Sequence, residues 1–314
     1  MSDPILRIKS LNMKFGKTVA VNNLDLRVES GDIYGLIGPN GAGKTTTFKI
    51  VATIMRPTSG RVMIGGMDIS VKRQIREIRR KIGYMPDSFG VYEDMTVKEY
   101  LAFFAAAYDI SNPKRKRLVD DVLELVDLAG KRDVLIESLS RGMQQRLGIA
   151  RVLIHDPDLL ILDEPASGLD PRARIEIRSL LLELQKMGKT ILISSHILAD
   201  LGEICSRIGI IEQGKLLVDG GLEDVLKMAR PASVVYLRVS DDGEQAVAVV
   251  EKLPFVTGVE LQGNTVVAQV EDGFTEVWRI SQALTERGLK LNYIEQESES
   301  LERAFIELTD GTVS

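Results

Sequence analysis

A glycine-rich segment carries the clearest chemistry in the sequence. Residues Gly38–Thr45 have the sequence GPNGAGKT, which fits the phosphate-binding P-loop pattern G-x-x-x-x-G-K-[ST]. Glycines in such a loop allow backbone N–H groups to turn inward around the phosphates of a nucleotide. Lys44 can reach the β- and γ-phosphates, and the Thr45 hydroxyl can bind Mg²⁺. The segment therefore predicts a site for a nucleotide and Mg²⁺.

The sequence on both sides of this segment supports the same prediction. Ile33–Ile37 is an apolar run that predicts a buried strand, and Thr46–Val51 predicts the start of a helix. The alternative is a glycine-rich turn with a lysine by chance, which would not need a strand before it and a helix after it. The predicted phosphate-binding residues are Gly38, Pro39, Asn40, Gly41, Ala42, Gly43, Lys44, Thr45 and Thr46.

Two adjacent carboxylates follow a second apolar run. Leu159–Leu162 predicts a buried parallel strand, and Asp163 and Glu164 come directly after it. At the carboxyl end of such a strand, Asp163 can lie beside the P-loop and help to hold Mg²⁺. Glu164 can polarise a water for attack on the γ-phosphate. A carboxylate that caps the next helix is the alternative for this pair.

Three further motifs narrow the class of protein. Leu139–Arg146 has the sequence LSRGMQQR, which resembles the signature motif of the ABC ATPases, usually LSGGQ followed by QxR. The loop Ser167–Asp170 and the residue His196 follow in the order and at the spacing of that family. The resemblance covers about residues 5–221. It implies an α/β fold, with a P-loop NTPase core, an antiparallel β layer and a helical subdomain.

The resemblance also implies roles for residues outside the P-loop. Phe15 is similar in position to the family's aromatic residue that stacks on the adenine of ATP, and its alternative is a core residue at a strand end. Ser140 and the Gly142 backbone would contact the γ-phosphate of ATP held by a second copy. Asp170 would cross the same interface and orient the P-loop of that copy. His196 would contact the γ-phosphate and hold the attacking water.

These assignments give a catalytic set of Glu164, His196 and Lys44. The implied Mg²⁺ ligands are Thr45, Asp163 and Asp87. Asp87 stands where the family usually has glutamine, so it is shorter and adds negative charge near the phosphates. Arg141 replaces the first glycine of the signature, and an arginine there can attract phosphate or pair with an acid of a partner.

Composition excludes several other classes of protein. The 314 residues are 44% hydrophobic and 27% charged, as in an ordinary globular protein. No apolar stretch approaches the roughly 18–20 uncharged residues that a membrane span requires, and the N-terminus lacks the features of a signal peptide. A single cysteine, Cys205, cannot form an internal disulfide and favours the cytoplasm. The residues from 223 onward carry a net charge of −9, which argues against a nucleic-acid partner.

The chain is predicted to contain two domains. Residues 1–225 form the ATPase domain, with a helical subdomain at about residues 88–158. Residues 232–314 show a β-α-β-β-α-β pattern that predicts a small ferredoxin-like α+β domain, in which residues 274–287 form a helix. This domain has no phosphate loop or catalytic pair, so regulation or dimerisation is expected of it. Residues 301–309 resemble the C-terminal motif of the drug and antibiotic exporter branch of the family.

The resemblance implies the ATP-binding and ATP-hydrolysing subunit of a transporter, working as an exporter with a separate integral membrane permease. Two copies, expected to form a homodimer, would sandwich two ATP molecules at the inner face of the cell membrane. One alternative is a soluble ABC ATPase that acts on ribosomes or DNA. Such relatives have two cassettes or long heptad insertions, and this sequence shows neither. Another is a nucleotide-regulated module that hydrolyses ATP weakly, which Asp87 leaves open.

Overall fold

The structure is a computed structural model. It describes residues 4–88, 90, 92, 94–195, 197–228, 233–240, 243–271, 274–296 and 305. The chain divides into two compact units, with the boundary after Val225 and residues 226–307 in the second unit.

The first unit combines two sheets with several helices. Its strands and α-helices, in chain order, are β1 (Leu6–Phe15), β2 (Thr18–Val28), β3 (Ile33–Ile37), α1 (Lys44–Val51), β4 (Ser59–Ile64), β5 (Met67–Asp68), α2 (Ile75–Lys81), β6 (Ile82–Met85), α3 (Val97–Ala107), α4 (Asn112–Leu125), α5 (Arg141–Leu153), β7 (Leu159–Asp163), α6 (Pro171–Lys186), β8 (Thr190–Ser195), α7 (Leu198–Ile204), β9 (Arg207–Glu212) and β10 (Lys215–Gly221). A further helix, α8 (Leu222–Met228), spans the boundary between the units.

The central sheet has the strand order β10-β9-β3-β8-β7-β6. Neighbouring strands are parallel except at the edge, where β10 is antiparallel to β9. Every residue of β3, β7 and β8 is buried, because an apolar run without alternation suits a strand that is covered on both faces. Only β8 separates the strand before the P-loop from the strand that ends in Asp163. The fold thus brings the two predicted motifs to the carboxyl ends of nearby parallel strands, on the same side of the sheet.

A second, antiparallel sheet has the order β2-β1-β4-β5. Its buried side chains pack with α1 and one face of the central sheet into a hydrophobic core. Phe48 and Leu36 are fully buried in this core. The α/β class and the antiparallel layer predicted from the sequence are confirmed.

The segment between β6 and β7 is largely helical. Thr96 and Glu99 form a reciprocal capping box at the start of α3, as the sequence TVKE predicts. His155 follows α5, bonds the carbonyl oxygen of Ile82 at 2.9 Å and stacks on Tyr108 with ring centroids 3.8 Å apart. Burial lowers the pKa of His155, so this histidine is a neutral packing residue.

The second unit has an antiparallel sheet of order β12-β13-β11-β14 with two helices. Its elements are β11 (Ser233–Val239), α9 (Gly243–Val250), β12 (Val256–Gln262), β13 (Thr265–Val270), α10 (Trp278–Glu286) and β14 (Leu291–Gln296). The helix predicted over 274–287 is shorter in the structure. Phe274 stacks on Phe255 with centroids 4.3 Å apart, and its carbonyl accepts a hydrogen bond from Gln296 Nε2. These contacts hold Phe274 outside α10.

The exporter-like motif at residues 301–309 lies outside the described residues, apart from Phe305, which is helical. In the part of the chain that the structure describes, no helix has the length and apolar character that a membrane crossing requires.

Candidate functional site

The P-loop closes tightly against neighbouring backbone. A Cβ atom on Gly38 would lie 2.2 Å from the carbonyl oxygen of Ile211, and one on Gly43 would lie 2.4 Å from that of Ala20. Gly43 also has φ of +107°, which disfavours any residue with a side chain, and α1 begins at the next residue. The sequence therefore places glycine where the loop must approach other strands, and the loop directs the amino end of α1 toward the site.

Lys44 lies across the loop that precedes it. Its buried ammonium group donates hydrogen bonds to the carbonyl oxygens of Gly38 and Pro39. Burial lowers the pKa of Lys44, and the charges of Glu164 and Asp163 oppose this shift. A cation with two neighbouring carboxylates is thus fixed at the start of α1, where it can meet a phosphate anion.

Asp163 ends β7 and is fully buried. Its Oδ1 accepts a hydrogen bond from Ser194 Oγ at 2.7 Å, and the side chain of Thr45 lies near this carboxylate. Its Oδ2 is buried and has no hydrogen-bond partner among the described residues. Burial is the largest cause of the raised pKa of Asp163. An unpaired carboxylate oxygen beside a hydroxyl is a donor set that suits a hard cation such as Mg²⁺, so these residues fit the implied metal.

Glu164 has an unusual backbone conformation. Its φ of +53° lies in the left-handed region, which costs a residue with a side chain about 1–2 kcal/mol. Its backbone N–H donates to the carbonyl oxygen and to Oγ of Ser194, at 3.2 and 3.1 Å. These bonds hold the strained residue in place. Strain of this kind is typical of functional sites.

P-loop residues 39–46 line one cavity of about 430 Å³, which we call the P-loop cavity, and Asp163 and Gly38 lie outside its lining. Besides the loop residues, Ala20, Asp87, Glu164 and Ser167 line it. A cavity of this size is in the range of small-molecule sites. The structure thus brings the predicted P-loop residues together with Glu164 and with Asp87.

Other predicted site residues do not line this cavity. Phe15 ends β1 and is 47% exposed. Ser140 caps α5, because its Oγ accepts from the Met143 N–H at 3.3 Å, and Asp170 caps α6 through the Ala173 N–H at 2.9 Å. His196 lies outside the described residues. The roles given to these four residues stay predictions.

The starts of α5 and α6 form a second surface, here called the signature surface and consisting of Ser140, Arg141, Gly142, Gly168 and Asp170. The Arg141 guanidinium lies over Gly168, so close that a Cβ there would be 2.4 Å from its central carbon. Apart from Gly142, which is half-buried, these residues are exposed. The surface leaves two helix amino ends open to solvent, where an anion can approach.

Sequence reasoning missed two residues beside Asp163. Ser194 bonds both Asp163 and the backbone of Glu164, and Tyr84 lies on the neighbouring strand β6. In a sequence, a serine at the end of an apolar strand is only a weak signal of a functional role. The role of Ser194 depends on its pairing with Asp163. The two residues are 31 positions apart in the chain and lie on neighbouring strands.

Comparison with known proteins gives consistent matches. The family model for the ABC transporter matches residues 21–167. The bacitracin transport ATP-binding protein BcrA of Bacillus licheniformis is 35% identical over 309 residues, which cover 98% of this chain and 98% of that protein. The Nod factor export ATP-binding protein I of Burkholderia lata is 34% identical over 264 residues, which cover 84% of this chain and 85% of that protein.

A solved structure shows the same similarity in three dimensions. It is the dimeric structure of a post-hydrolysis state of the ATP-binding cassette MJ0796 bound to ADP and Pi. The TM-score is 0.63 at 26% identity, and the match covers 69% of this chain and 98% of that chain.

Proposed function

Since the chain belongs to the ABC transporter family and is one of its ATP-hydrolysing proteins, we propose that it binds ATP with Mg²⁺ in the P-loop cavity. We further propose that it acts as a pair of copies and drives export through a separate membrane permease. The observation that carries this function is the arrangement of charge around the cavity. The buried Lys44 and the amino end of α1 line the cavity together with the carboxylates of Asp87 and Glu164. Close by, Asp163 has one buried oxygen without a partner among the described residues.

Each group of the cavity has a distinct task. Lys44 and the backbone N–H groups at the start of α1 would bind the phosphates of ATP. Thr45 and Asp163 would hold Mg²⁺ from the side of the sheet, and Asp87 would face it from the cavity wall. When bound, Mg²⁺ neutralises phosphate charge and polarises the γ-phosphate. Ser194 orients the Asp163 carboxylate through its 2.7 Å hydrogen bond.

Glu164 is the proposed general base. It lines the cavity beside the P-loop, and its left-handed backbone is held by the hydrogen bonds to Ser194. A carboxylate there can accept a proton from, and orient, the water that attacks the γ-phosphate. The predicted partner in this step is His196, which would hold the same water.

A second copy of the chain would complete the site. Ser140 and Asp170 each bond the first turn of their own helix and do not line the P-loop cavity. They are therefore available to the ATP of another copy, which is the role that the family resemblance gives them. We propose a homodimer in which each P-loop cavity faces the signature surface of the partner.

Export is proposed because two relatives that cover most of the chain are named for bacitracin transport and Nod factor export. Those names favour the transporter over a soluble ATPase that acts on ribosomes or DNA. The chain would bind a permease at the cytoplasmic face of the membrane. Recovery of a protein with many membrane spans by pull-down from detergent-solubilised membranes would support this role. Recovery of ribosomal or DNA-bound material alone would contradict it.

The Glu164→Gln variant tests the hydrolytic mechanism. We expect ATP hydrolysis to fall about 100- to 1,000-fold, because the amide cannot accept the proton, while ATP binding stays within about twofold of wild type. Glu183→Gln is the matched control, because Glu183 is exposed on α6 and does not line the cavity. Hydrolysis at the wild-type rate in the Glu164 variant would remove this residue from the mechanism.

A further inference from the structure

Tyr84 lies on the same face of the central sheet as Asp163. Strands β6 and β7 are parallel, and Tyr84 pairs with Ile161. Side chains of paired residues point to one face, as do side chains two residues apart on one strand. The Tyr84 side chain is therefore directed to the face that carries Asp163. Its ring packs against the hydrophobic core beneath the antiparallel layer.

The hydroxyl of Tyr84 is buried, and no described residue forms a hydrogen bond with it. Burial is the largest cause of its raised pKa, followed by the charges of Asp163 and Asp87. The phenol thus remains a neutral O–H donor under the influence of two carboxylates. A buried hydroxyl without an acceptor costs free energy, so its partner should be a group that arrives at the site.

The Asp163 carboxylate also lacks a hydrogen bond, because its Oδ2 is buried without a partner among the described residues. Tyr84 lies within the influence of Asp87, and Asp163 directly precedes Glu164; both Asp87 and Glu164 line the P-loop cavity. An unpaired donor and an unpaired acceptor on one face of the sheet, each near a cavity-lining residue, indicate a shared ligand that both accepts and donates hydrogen bonds. A water bound to Mg²⁺ has this character, since its protons bond carboxylates and its free lone pair accepts from a hydroxyl.

We propose that Tyr84 is a positioning residue for the metal end of the nucleotide site. Its hydroxyl donates a hydrogen bond to a Mg²⁺-bound water on the side of Asp163 and Asp87. This inference rests on the proposed Mg²⁺–ATP site.

A Tyr84→Phe variant removes the oxygen and keeps the ring. We would titrate Mg²⁺ into protein with a fluorescent ATP analogue and measure the metal concentration at half-maximal binding. The expected result is an increase of about tenfold, with analogue affinity in EDTA unchanged, because the loss of an outer partner typically weakens metal binding by that amount. Tyr84→Met is a second variant without the hydroxyl, to be used if phenylalanine disturbs folding.

The matched control is Tyr100→Phe, which removes a buried phenol from α3, where its oxygen is 3.5 Å from Arg151. It should leave the Mg²⁺ dependence unchanged. A purely structural Tyr84 predicts no change, or an equal loss of affinity with Mg²⁺ and with EDTA, and either result overturns the inference. If wild-type protein binds the analogue without any dependence on Mg²⁺, the proposed function itself fails.

Discussion

The P-loop cavity and the signature surface are predicted to act on the same γ-phosphate, yet they are built differently. The cavity is formed at buried strand ends, where glycines approach carbonyl oxygens and where Asp163 and Glu164 share hydrogen bonds with Ser194. The signature surface consists of two helix starts that are largely exposed to solvent. The first region is enclosed by buried strands, and the second is exposed to solvent. Under the proposed function, the difference indicates that each chain fixes its own P-loop cavity, while a second copy would complete the site.

The strongest test of this comparison separates the two regions onto different chains. A Lys44→Ala chain loses the ammonium group proposed to bind phosphate but keeps its signature surface. A Ser140→Asp chain keeps a helix cap, because aspartate caps as well as serine, but repels phosphate. Each variant alone should lose about 100-fold in ATP hydrolysis. Their mixture should recover about a quarter of wild-type activity, because half of the randomly mixed dimers contain one intact site.

The control for this mixture is a chain with both substitutions. Mixed with the Lys44→Ala chain, it offers no intact P-loop and should remain inactive. If the two single variants fail to complement one another while native mass spectrometry shows that they form mixed dimers, the signature surface does not serve the partner's cavity.

The second prediction concerns rigidity. In Gly38→Ala, the new Cβ would lie 2.2 Å from the backbone oxygen of Ile211, which cannot move without shifting β9. We expect a loss of about 3 kcal/mol in the free energy of unfolding, measured by urea denaturation. Gly41→Ala is the matched control in the same loop. No atom of a described residue lies within 4 Å of its Cβ position, so only the left-handed φ of +80° should cost stability, about 1 kcal/mol.

Equal losses for the two alanine variants would show that the loop yields as a whole. The P-loop would then be as compliant as the signature surface, and the contrast in rigidity between the two regions would disappear.

The same contrast explains what the sequence could predict. The P-loop residues and the Asp163–Glu164 pair were identifiable because each motif is local and follows an apolar strand. Ser194 and Tyr84 were not identified, because their relation to Asp163 arises from strand pairing over separations of 31 and 79 residues. The start of α10 was misplaced for a similar reason, since the contact of Phe274 with Phe255 is tertiary. Local chemistry is visible in a sequence, whereas register between distant strands is not.

The smallest predicted effect concerns the signature surface itself. A Cβ in Gly168→Ala would lie 2.4 Å from the central guanidinium carbon of Arg141. Unlike the Ile211 carbonyl, this group is the end of an exposed, flexible side chain and can swing aside. The cost should therefore come from the φ of +67° alone, about 1 kcal/mol in the free energy of unfolding. The same substitution in an Arg141→Ala background should cost the same within about 0.5 kcal/mol. A coupling above about 1 kcal/mol would mean that Arg141 is held firmly over the loop. The signature surface would then be pre-formed like the P-loop cavity. Association would join two pre-formed surfaces, and neither would change conformation.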